Sequence, residues 1–128
     1  MAVVVLIACR YDKPGDCPKD IICTMDFRSV GVQVTDTAGA PVVLDSTRTI
    51  HLAHGAVVLR SSGPEPFPAG SWYAVLTDNH MSFTDTKGRD FRFEGFLGGA
   101  RKAQALFRIR HDCCHVDKVS GPEVIVVE

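Results

Sequence analysis

Residues 27–36, FRSVGVQVTD, alternate cleanly: Val30, Val32 and Val34 fall on one face, and Gly31, Gln33 and Thr35 on the other. Period two is the signature of a half-buried strand. DTAGAP follows as a turn, with Asp36 to cap it, Gly39 free to take positive φ and Pro41 opening the next segment. VVLDS and TRTIHLA continue the β pattern, and in the latter Thr47, Thr49 and His51 oppose Arg48, Ile50 and Leu52. AVVLR from Ala56 is a further short run. SSGPEPFPAGS from Ser61, with its prolines and glycines, is a loop.

WYAVLTD from Trp72 predicts a central strand, in which one of Trp72 and Tyr73 packs in the core and the other faces out. GRDFRFEGFLGG places Phe91 and Phe93 opposite Arg92 and Glu94. AQALFRIRH sets Ala105, Phe107 and Ile109 against Leu106, Arg108 and Arg110, and EVIVV is the last apolar run. Only 100–106 is ambiguous, with a helical turn as its alternative. About seven to nine short strands between turn residues predict an all-β antiparallel sandwich of the transthyretin or immunoglobulin kind.

A length of 128 residues suits one domain with a single core. A net charge of −1, with scattered Lys and Arg, argues against nucleic acid as a partner. No apolar stretch approaches the roughly 20 residues that span a bilayer. The five cysteines change the picture most, because Cys9, Cys17, Cys23, Cys113 and Cys114 all sit near the two ends. That placement suits staples in an oxidising compartment better than a lone catalytic thiol.

The opening MAVVVLIACRYDKPGDCP is apolar from Ala2 to Ala8 and turns polar immediately after Cys9. Leu6-Ile7-Ala8-Cys9 resembles a bacterial lipobox: a large aliphatic residue, a tolerated one, a small one, then the cysteine that takes the lipid. On this reading residues 1–8 are a short signal peptide, Cys9 is lipidated, 9–22 form a polar tether and 23–128 form the β-sandwich. Lipidation of Cys9 also accounts for the odd cysteine count, and two or more acyl chains suffice for stable anchoring. The alternative makes Val3–Ile7 a first core strand.

VTDTAGAPVVL, residues 34–44, is similar to the opening hairpin of carboxypeptidase-regulatory-like domains, which have a transthyretin-like sandwich. Together with the Cys9 motif, CTMDFRSV, WYAVLTD, FEGFLGG and DCCHVDKVSGP, it resembles small secreted lipoproteins of Bacteroidetes-type bacteria. The resemblance implies a module in the periplasm or at the cell surface, anchored to the outer membrane by its lipid. It implies a non-enzymatic binding or structural role with no cofactor, and supplies no catalytic residue. A protein or glycan partner is left open.

For an exported chain, Cys17 and Cys23 pair with Cys113 and Cys114, since neighbouring side chains on an extended strand point to opposite sides and reach different partners. Which cross-pairing holds stays open. The alternative is a small metal-binding protein using Cys113, Cys114 and His115, with His111 or Cys17 and Cys23 as further ligands. Adjacent cysteines lack the spacing that turns both thiolates to one zinc ion. A thioredoxin-like C-x-x-C is absent. His51, His54 and His80 are expected on exposed loops or strand edges. Asp36, Asp45, Asp78 and Asp85 are expected to serve turns, and no serine stands in a nucleophile motif.

Overall fold

The computed structural model describes residues 17–65 and 70–128. Val3–Ile7, the Leu6–Cys9 motif and the proposed lipidation at Cys9 lie outside the described residues. Among the described residues the fold is an all-β sandwich of eight strands: β1 (Ser29–Thr35), β2 (Ser46–His51), β3 (Ala56–Ser61), β4 (Trp72–Thr77), β5 (Arg89–Leu97), β6 (Ala100–His111), β7 (Val116–Ser120) and β8 (Val124–Val126). One sheet has the order β4-β1-β8 and the other β3-β2-β5-β6-β7. All pairs are antiparallel except β1 with β8, which run parallel. That parallel pair was not legible in the text, because EVIVV says nothing about its direction.

The core follows the alternation. Val30, Val32 and Val34 of β1 meet Tyr73 and Val75 of β4, Phe91 and Phe93 of β5, and Phe107 and Ile109 of β6. Burying each such side chain stabilises by about 1.5–3 kcal/mol. Tyr73 goes inward and Trp72 stays half-buried on the other face. The Tyr73 hydroxyl donates to the Val42 carbonyl (2.8 Å) and accepts from the Leu44 amide (2.7 Å), so the polar tip of a core ring serves the backbone before β2. Trp72 lies flat over β1, where a Cβ at Gly31 would land inside the indole.

One expectation changed, one ambiguity resolved and one element is new. Residues 42–45 form no strand: Pro41 bridges back to Thr35, the Val42 amide donates to the Val34 carbonyl (2.9 Å) and the Asp45 amide to the Phe96 carbonyl (2.8 Å), and β2 begins at Ser46. Residues 100–106 are strand, paired with β5 and joined to it by the tight Gly98-Gly99 turn. A 3-10 turn covers Asp78–Phe83, with Thr77 and His80 capping each other's backbone at its start. That turn was hidden because DNHMSF carries too few residues to show a period.

Candidate functional site

Of the residues named from the sequence, Cys17, Cys23, Cys113, Cys114, His115 and Asp78 meet at the β6–β7 turn. Asp112 starts the β6–β7 turn: its Oδ1 accepts from the amides of Cys114 (2.9 Å) and His115 (2.7 Å), and its own amide donates to the His115 carbonyl (3.0 Å). Those bonds hold the Asp112 carboxyl below the usual carboxylate range. Cys113 sits at φ 73°, in the left-handed region that a residue with a Cβ rarely adopts. DCCH is therefore an Asx-type turn with two cysteines at its tip.

The two cysteines leave that tip for different partners. Cys113 is bonded to Cys17 and Cys114 to Cys23, with Cα–Cα separations of 5.5 and 5.3 Å. Both bridges land on the segment 17–28 that precedes β1, so they tie that segment to the β6–β7 turn rather than the first strand to the last. None of residues 17–29 is buried. Ile22 is 94% exposed, Met25 is fully exposed and Phe27 is largely so.

His115 is buried beneath the same segment. Its Nδ1 stands 2.6 Å from Asp78 Oδ2, and its Nε2 stands 2.9 Å from Thr24 Oγ1 and 3.5 Å from Asp26 Oδ1. The Asp78 carboxylate also accepts from the amides of Val116 (2.8 Å, Oδ1) and Arg28 (2.8 Å, Oδ2). Burial works to raise its pKa, but the bonds from His115, Arg28 and Val116 outweigh it and the net shift is downward. Asp78 thus joins the end of β4, the entry to β1, and the start of β7.

Thr24, His115 and Asp78 stand in the order of a nucleophile, a base and its orienting carboxylate. The hydroxyl of Thr24 has a second neighbour, however. Its hydrogen bond to Asp26 is the largest of the influences that hold that carboxyl far below its ordinary range, ahead of the bond from Arg28. The Thr24 hydroxyl thus sits between the His115 imidazole and the Asp26 carboxylate. The network is built to hold residues 24–28 against β7.

Beside it runs a groove of about 460 Å³ between β1 and β7, lined by Arg28, Gly31, Trp72, Val116 and Lys118 among others. Its charged rim is internally matched, as in the 2.6 Å pair of Lys118 with Glu123.

The set Cys113, Cys114 and His115 does not converge, because its cysteines belong to different bridges and its imidazole is bonded to Asp78 and Thr24. Among the described residues, the cysteines and histidine that do converge are Cys17, His111 and Cys113, whose ligand atoms lie within 4.8 Å of one another. His111 and Cys17, expected only as further ligands to the Cys113–His115 set, are thus the residues that meet Cys113. His51 is buried, not exposed: it faces Phe91 edge-on with centroids 5.2 Å apart, and its Nε2 meets the Phe83 carbonyl at 3.1 Å. His54 is exposed, and His80 is half-buried against Thr77, where burial lowers its pKa. Asp36 and Asp85 cap turns as expected. Asp45 reaches the Gly98 amide.

No family model matches this chain, and neither the curated proteins nor the solved structures include a match to it.

Proposed function

We propose that this chain is a non-enzymatic, extracytoplasmic binding module: a β-sandwich anchored through lipid at Cys9 that presents residues 17–28 to a partner. The observation that carries the reading is the use of both disulfides. They fix a segment that contributes no buried side chain, while the sandwich core closes without it. Constraint without burial serves presentation. Ile22, Met25 and Phe27 are large apolar side chains held in solvent on that segment, and clustered exposed apolar groups mark interaction surfaces. Bridges of this kind persist in oxidising compartments, which supports a place outside the cytoplasm.

The test is expression of the full chain in a Gram-negative host with its own export and lipid machinery. The expected product sits in the membrane fraction, has Cys17, Cys23, Cys113 and Cys114 oxidised, and carries lipid that the Cys9→Ser variant lacks. A chain that stays in the cytoplasm with free thiols would overturn the reading.

A further inference from the structure

We propose that the Cys17–Cys113 bridge is a covered metal site: on reduction, the two thiolates and His111 bind one thiophilic closed-shell cation such as Zn²⁺. It stands whether or not Cys9 carries lipid. The geometry is already close to what the ion needs. In a tetrahedral zinc site, sulfurs lie roughly 3.8 Å apart and sulfur and nitrogen roughly 3.5 Å apart. The three donors lie within 4.8 Å of one another, so opening the S–S bond and a small shift of Cys17 would complete the set. Cys17 is exposed and precedes both the Cys23–Cys114 bridge and the residues that His115 and Asp78 hold, which leaves it room for that shift.

His111 is fixed on the other side. It is 3% exposed at the end of β6, and its Nδ1 accepts the Cys113 amide at 3.0 Å. That hydrogen bond occupies the Nδ1 lone pair, so binding through Nδ1 would exchange the Cys113 amide hydrogen for the ion at the same position. Cys113 carries its sulfur on a left-handed backbone at φ 73°, a conformation that clusters at functional positions. The second bridge, Cys23–Cys114, has no such histidine in reach among the described residues.

The chemistry balances with a dithiol as reductant. The dithiol becomes a cyclic disulfide, the chain gains two thiols, and the metal takes the two thiolates while two protons leave. Three protein ligands leave a fourth position for water or a small anion, the pattern of an open zinc site.

The full chain carrying Cys9→Ser would be reduced with dithiothreitol, desalted under nitrogen and dialysed against Zn²⁺ alone. We expect one zinc per reduced chain and none per oxidised chain. His111→Ala should weaken binding at least tenfold, and the Cys23→Ser/Cys114→Ser variant should keep the site. Co²⁺ in place of Zn²⁺ should give a thiolate charge-transfer band that the Cys113→Ser variant loses. Absence of stoichiometric zinc, or unchanged affinity in His111→Ala, overturns the proposal. If the Cys23→Ser/Cys114→Ser variant fails to fold, alkylation of the parent decides. Zinc should then shield Cys17 and Cys113 and leave Cys23 and Cys114 reactive, and the reverse pattern overturns the site.

Discussion

Tyr73 shows how much one polar atom in a core can carry. Its ring belongs to the apolar cluster with Phe93, at a centroid distance of 6.4 Å, while its hydroxyl closes two hydrogen bonds to the 42–44 backbone. Those residues form no strand of their own, so the hydroxyl stands in for missing ladder bonds. Tyr73→Phe should therefore cost about 1–3 kcal/mol, because the buried Leu44 amide and the part-buried Val42 carbonyl lose their partner. A urea melt would check this, with the slope unchanged and the midpoint lowered. A midpoint equal to the parent's would mean that water takes over both groups.

At the scale of elements, strands were legible where apolar and polar residues alternate strictly, as in residues 29–35 and 89–97. The sheet partner of each strand was not, since pairing depends on contacts far apart in sequence. β7 was missed because VDKVS lies on an edge and is mostly exposed, so no apolar face announces it. The candidate site was half legible: the four bridging cysteines stood out by position, whereas Asp78 and Thr24 come to His115 only through the fold. The connectivity likewise had no local signature.

Closing a loop across a separation of 91 residues stabilises by about 4.6 kcal/mol in the chain-entropy model. Once one bridge exists, however, the second closes only a ring of about eight residues, worth about 2.5 kcal/mol. Removing either pair as serines should thus cost about 2–3 kcal/mol, and removing both about 7 kcal/mol, much more than twice a single loss. Urea unfolding of the three variants, each with Cys9→Ser, would measure this. Simple additivity would show that the unfolded chain is held by something besides the bridges.

For the whole molecule, acid is the condition that reaches the joints between the two sheets and the bridged segment. Asp78 and Asp112 hold the β6–β7 turn and residues 24–28 in place, and Glu94 lies 1% exposed among Arg48, Arg92 and Arg101, which link β2, β5 and β6. Burial works to raise the Glu94 pKa, but the bonds from Arg101 and Arg48 and the nearby positive charges bring it below its ordinary value. All three carboxyls are thus depressed in the folded state. A depressed group binds fewer protons folded than unfolded around its ordinary pKa, so its contribution is complete above that value and is lost as pH falls through the folded one. Stability should then hold from neutral pH down to about pH 5 and fall steadily below it. Asp78→Asn separates the site from the rest. It should lower stability at pH 7 by on the order of 1–3 kcal/mol, because the amide pairs poorly with two backbone donors and an imidazole. It should also flatten the acid slope, since one of the titrating joints is gone. Urea melts from pH 7 to pH 3 would compare the two proteins. Parallel curves would place the acid sensitivity elsewhere in the sandwich, whereas convergence at low pH would assign it to the Asp78 joint that locks residues 24–28 onto β7.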